Sequence, residues 1–145
     1  MAGIVFKSET HVLMGYQPHK AMISGIGGKP HEHELLIETA FRETIEELFG
    51  IDPPISLIHT LINTFNAGKV SNDGYTMFIL PFSDIPLFLS IVSAFGSPYY
   101  SNFPTTITDL ILNRRAPHDA EVTHLALVPI ILDAFQVDQR DMRII

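Results

Sequence analysis

The sequence predicts a single α/β (α+β) domain over residues 1–145, and three observations predict it. The chain has 145 residues and is 46% hydrophobic, the size and composition of one globular core. Its first 24 residues hold short apolar runs divided by turn residues, which is strand patterning. Residues 35–49 are instead rich in good helix formers and end on Gly50, with Pro53 and Pro54 behind it as a stop.

Taken in order, residues 3–7 and 12–16 flank Ser8-Glu9-Thr10-His11 and read as a β-hairpin. Pro18 and His19 sit in the next loop, and residues 21–24 form a short strand leading into a glycine-rich loop at 25–29. On a helix over 35–49, Leu36, Ala40, Phe41, Thr44, Ile45 and Leu48 form the buried stripe. Residues 51–54 make a turn. Residues 57–65 read as a strand, 66–74 as a turn-rich connection, and 75–82 as the returning strand of a hairpin. The long connection 84–118 reads as a helix over 86–95, a loop over 96–104 and a second helix over 105–114. Thr105 or Thr106 caps that second helix, and Asp109 lies in its first turn. Ile107, Leu110, Ile111 and Leu112 suit packing against the first of these helices. Residues 121–131 form the last strand, followed by a short helix over 132–136.

Charge and composition exclude several classes. Net charge is −7, with nine Lys and Arg spread along the chain, which argues against an extended nucleic-acid partner. With no cysteine there is no disulfide and no thiolate zinc site. Together with an N-terminus lacking a signal-peptide pattern, this is compatible with a cytoplasmic protein. Residues 85–108 carry no charge, but Pro86, Gly96, Pro98 and Pro104 interrupt them. The apolar part, 87–95, is far short of the ~20 residues of a membrane-spanning helix. No membrane association is expected, and the run suits either core packing or a homodimer surface.

The stretch 27–51 holds Glu32, Glu34, Glu38, Glu43, Glu46 and Glu47 against one Lys and one Arg. On the helix, Glu43, Glu46 and Glu47 stand at i, i+3 and i+4 and share one neighbourhood. Like charges at that spacing repel by a few tenths of a kcal/mol per pair. Such a cluster is a natural seat for a hard divalent cation such as Mg2+; the plain alternative is a solvated face. Arg42 is within a turn of both Glu38 and Glu46. His31 and His33 form a His-x-His pair, which lacks the i, i+4 spacing of a zincin helix and reads chiefly as solvated loop histidines. Tyr99, Tyr100 and Phe103 either stack on a nucleobase or cover the core. Arg114 and Arg115 either meet phosphates or complement a helix C-terminus.

The spacing across this stretch resembles the Nudix box. That box reads Gly, five residues, Glu, seven residues, Arg-Glu, two residues, Glu-Glu, one residue, Gly. Gly28, Glu34, Arg42-Glu43 and Glu46-Glu47 match in register, and Leu48-Phe49 add one residue before Gly50-Ile51. The resemblance implies a Nudix fold, a curved mixed β-sheet sandwiched between helices, with 84–118 as a helical insertion. It implies hydrolysis of a nucleoside diphosphate linked to another group, with Mg2+ or alternatively Mn2+. Glu43, Glu46 and Glu47 would ligate the metal with the Gly28 carbonyl, and Glu34 would support them. In this setting the small residues of 25–29 also let phosphates approach the backbone. Arg42 would orient the carboxylates by ion pairing. Glu121, with Asp119 second, is the candidate for an additional acidic residue before the last strand. One of the box glutamates or Glu121 would be the general base. Substrate classes left open are nucleoside triphosphates, dinucleotide or sugar-nucleotide diphosphates, and capped RNA ends as in a decapping enzyme; the insertion 84–118 is the candidate for choosing among them. The alternative is a Nudix-fold nucleotide-binding module without catalysis, a class that typically lacks box glutamates.

Overall fold

The computed structural model describes residues 1–130, so the expected short helix over 132–136 lies outside the described residues. In chain order the elements are β1 (Ala2–Lys7), β2 (His11–Gln17), β3 (Met22–Ser24), β4 (Ile26–Gly28), α1 (Leu36–Phe49) and α2 (Ile55–Thr64). Then come β5 (Gly68–Asn72), β6 (Tyr75–Pro81), α3 (Ile85–Val92), α4 (Ile107–Leu112) and β7 (His124–Pro129). Single 3-10 turns flank α3. The described residues thus form a mixed α+β unit with a seven-stranded mixed sheet and four α-helices.

The sheet runs β3-β2-β1-β6-β5, with β4 joined to β1 and β7 to β2. The β1–β6 pair is parallel and every other pair is antiparallel. Strand β1 meets β4 along its first half, Gly3 opposite Gly27, and β2 at its end, Lys7 opposite Val12. Helix α1 packs on β1, β4 and β6, with α2 against α1 and α3 against α2.

Four expectations are corrected. Residues 57–65 are helical, not a strand. Leu57, Ile58, Leu61 and Phe65 recur at helical spacing and are buried, and the Pro54 carbonyl accepts the first turn's N–H groups from Leu57 and Ile58. The partner of β6 is β5, whose five residues are all exposed. Only Asp73 and Gly74, both at positive φ (51° and 79°), make the hairpin turn that joins them. The glycine-rich segment is not wholly a loop, since Ile26–Gly28 is a strand on β1. Leu36 is 39% exposed and leaves the core stripe, which runs instead from Thr39 to Phe49.

Both ends of α1 are finished by specific contacts. The Glu38 carboxylate accepts the Leu35 N–H at 2.8 Å. At the other end Gly50 turns left-handed (φ 67°), and its N–H reaches the Glu46 carbonyl at 2.9 Å. The residue that exceeds the box spacing is therefore taken up as helix. Much of the uncharged run 85–108 faces inward. Ile85, Phe88, Leu89 and Val92 are buried, and Phe88 meets Phe6, Phe49 and Phe65 at ring-centroid distances of 5.2, 6.2 and 6.3 Å. The Thr106 hydroxyl caps α4 by accepting the Asp109 N–H at 3.1 Å. Among the described residues no helix is long and apolar enough to cross a membrane.

Because Phe88 is the meeting point of three other rings, Phe88→Ala is expected to cost about 3–5 kcal/mol in urea unfolding. A loss below about 1 kcal/mol, the scale of a tolerated core swap, would show that the core does not depend on this cluster.

Candidate functional site

Helix α1 projects Glu43, Glu46 and Glu47 into a cleft of about 100 Å3, which Tyr99, Ala120, Glu121 and Val122 close from the other side. A wider recess of about 540 Å3 shares Ala120 and Glu121 with it and is bounded by Pro18, His19, His118 and Asp119. The β4–β1 pairing holds Gly28 against α1. A Cβ on Gly28 would come within 2.5 Å of the Glu43 carboxyl carbon, so any side chain there would displace that carboxyl.

Arg42 is the hub of the α1 side. It is 5% exposed and grips Glu34 with two parallel bonds, Nε to Oε2 at 2.7 Å and Nη2 to Oε1 at 2.9 Å. Its Nη1 donates to Glu43 at 3.0 Å and Glu46 at 3.2 Å, and its Nη2 to the Lys29 carbonyl at 2.9 Å. The bonds from Arg42 hold the Glu34 carboxyl down to about 2 against the opposing effect of burial, helped by Thr39 and the His31 N–H. Glu43 moves the other way. Burial raises it, and Glu46 and Glu121 add to that, against the pull of Arg42.

Glu47 is the most perturbed carboxyl of the cluster. Burial first, then the Glu121 and Glu43 charges, push it up to about 9, and the nearby Gly27 amide opposes this only weakly. Both its oxygens are buried without a hydrogen-bond partner among the described residues. Unpartnered buried polar atoms are costly, and a cleft with four carboxyl groups is short of positive charge. A divalent cation fits that donor set, since hard oxygens are its preferred ligands and it would take the place of the proton on Glu47. Among the described residues no three acidic or histidine side chains already stand in coordinating geometry. Arg42 takes Oε1 of Glu43 and both oxygens of Glu46, so Glu46 would have to turn from it to ligate an ion, while Glu43 has Oε2 to offer.

The remaining sequence candidates divide. Tyr99 lines the cleft. Tyr100 does not: it is buried, and its hydroxyl donates to the Leu110 carbonyl, while Phe103 stacks on Phe49 at 5.0 Å. Those two rings cover the core. Arg114 is buried and donates to carbonyls of Glu47 and Leu48 at the end of α1, the helix-C-terminus alternative, with its guanidinium turned from solvent. Arg115 is exposed and donates to the Leu112 and Arg114 carbonyls. His31 and His33 are solvated; His33 pairs with Glu32 at 3.3 Å with both side chains 89% exposed. Asp119 borders the wider recess, not the acidic cleft.

Sequence reading missed Tyr75. Burial and the Glu47 and Glu43 charges raise its phenol to about 12, and the absence of side chains on Gly3 and Gly27 leaves space for its hydroxyl. Only the pairing of β1 with both β4 and β6 brings these residues together, so no local spacing announces it. His19 and His118 likewise come to border one recess only through the fold. In comparisons with known proteins, no family model and no curated protein matches the chain.

The two extreme carboxyls give opposite pH dependences. Glu47 holds its proton more tightly folded than unfolded, so its contribution lowers stability as pH rises from 4.5 toward about 9. In chelator, Glu47→Gln should melt above wild type at pH 8, with the gap closing toward pH 5; equal melting curves at both pH values would show that Glu47 is not strained. Glu34 holds its proton less tightly when folded, so it stabilises above 4.5 and that contribution is lost as pH falls toward about 2. Glu34→Gln should therefore melt below wild type at pH 7 and converge with it in acid.

Proposed function

We propose that this chain is a metal-dependent hydrolase of the Nudix kind, cleaving the pyrophosphate linkage of a nucleoside di- or triphosphate derivative. The observation that carries the reading is the convergence of Glu43, Glu46, Glu47 and Glu121 on one cleft, with the Glu47 oxygens unpartnered. The register of Gly28, Glu34, Arg42-Glu43 and Glu46-Glu47 supports it. So does a mixed sheet that carries the glutamate helix on β1 and β4.

In this reading Glu43, Glu46 and Glu47 hold Mg2+ or Mn2+, with the Gly28 carbonyl and Glu121 beside them. Bound there, such an ion would neutralise phosphate charge and acidify water. It also explains how a chain of net charge −7 attracts an anionic substrate. Arg42, anchored by Glu34, would orient the Glu43 and Glu46 carboxylates by ion pairing. Glu121 is exposed and lines the cleft, which supports it, beside the box glutamates, as a candidate general base. Among the described residues Tyr99 is the one aromatic ring on the cleft wall, and its ring is engaged by Arg114 and Gly50, while Tyr100 and Arg114 serve the interior. A small nucleotide in the cytoplasm is the expected substrate.

One observation favours a second reading, a nucleotide-binding module without turnover: Arg42 already engages both oxygens of Glu46 and one of Glu43. A nucleotide panel assayed for phosphate or nucleoside monophosphate release, with Mg2+, Mn2+ or chelator, separates the two. Metal-dependent release supports the hydrolase, and nucleotide binding without release supports the module. Glu46→Gln is expected to lower turnover by orders of magnitude with the fold retained, and wild-type turnover in that variant would refute the assignment.

A further inference from the structure

Arg114 carries a charge into the interior, at 7% exposure. Its Nη2 donates to the Glu47 carbonyl at 2.6 Å and to the Val122 carbonyl at 2.8 Å, and its Nη1 donates to Leu48. One planar group therefore joins the last turn of α1 to the segment just after Glu121. Those are the two walls of the acidic cleft, Glu47 on one and Glu121 with Val122 on the other.

The guanidinium is backed by Tyr99, whose ring centroid lies 5.0 Å from it. Tyr99 is fixed in turn. Its ring rests on Gly50, where a Cβ would come within 2.4 Å, and its carbonyl accepts the Arg115 N–H at 2.8 Å. Stability alone explains this poorly, because Arg114 Nε is buried without a partner among the described residues, an uncompensated desolvation cost.

We propose that Arg114 is a positioning residue for the acidic cleft: it sets the placement of Glu121 relative to Glu47, with Tyr99 as its support. This rests on the metal-site reading of that cleft. A lysine offers a single ammonium and lacks the planar fork that spans both walls.

The test is Mn2+ titration of the full chain followed by the free-ion EPR signal, which requires no turnover. Arg114→Lys, shown to be folded by a cooperative urea transition, should bind Mn2+ about tenfold more weakly, the usual effect of losing an outer-shell partner. Glu121→Gln should weaken binding in the wild-type background and add little in the Arg114→Lys background, because Glu121 is already displaced there. Tyr99→Leu keeps the three Arg114 hydrogen bonds and removes their backing, so it should give a smaller loss with the same non-additivity. It carries the comparison if Arg114→Lys fails to fold. Unchanged Mn2+ affinity in folded variants, or losses that simply add to that of Glu121→Gln, would overturn the proposal. Wild-type protein that binds no Mn2+ would overturn the metal reading and this inference with it, and only that failure leaves the wild type metal-free.

Discussion

A single buried guanidinium holds the acidic face of α1 together. Arg42 neutralises what would otherwise be a stack of glutamates on one helix, and it does so from inside, at hydrogen-bond distance to Glu34, Glu43 and Glu46. The bidentate grip on Glu34 spans eight residues and pins the loop before the helix to the helix itself. Removing either partner would strand the other as a buried charge, which costs far more than losing a surface pair. The wall formed by Glu43, Glu46 and Glu47 is therefore a property of this network more than of helix propensity.

The sheet supplies the other half of the constraint. Strand β1 is shared by β2, β4 and β6, and the short β4 lays Gly28 against Glu43. A floor built from glycine lets α1 approach closely, and the desolvation of Glu47 follows from that closeness. Packing and electrostatics are thus coupled: the tighter α1 sits on the sheet, the more its inward carboxyl needs a proton or a cation.

What could be read from the sequence was local. The helix α1, the hairpin β1–β2, the strand β6 and the Thr106 cap each depend on residues within a few positions of one another, and periodicity or capping chemistry exposes them. Residues 57–65 defeated that approach because a short apolar run fits a strand and a buried helix equally well, and only packing on α1 decides. Strand β5 carried no signal, since an edge strand with all five residues exposed shows no alternation. In the site, the three glutamates of α1 announce themselves by spacing. The arrival of Glu121 and Tyr99 opposite them is set by chain topology, and so is the inward turn of Arg114, which the sequence left open between phosphate and helix end.

The parallel pairing of β1 with β6 has a kinetic side. Ala2 lies opposite Thr76, so that ladder closes a loop that contains β2, β3, β4, α1, α2 and β5. Loop-closure entropy for such a span grows only slowly with its length, so the native state loses little by it. The burden falls on the rate, because non-local contacts are rewarded late. The β1–β2 and β5–β6 hairpins are local and close short loops, whereas the β1–β6 ladder that joins them is long-range. The carboxyl wall on α1 thus stands on a sheet whose β1–β6 seam joins distant parts of the chain, while its main support, β1 with β4, comes from residues much nearer in sequence.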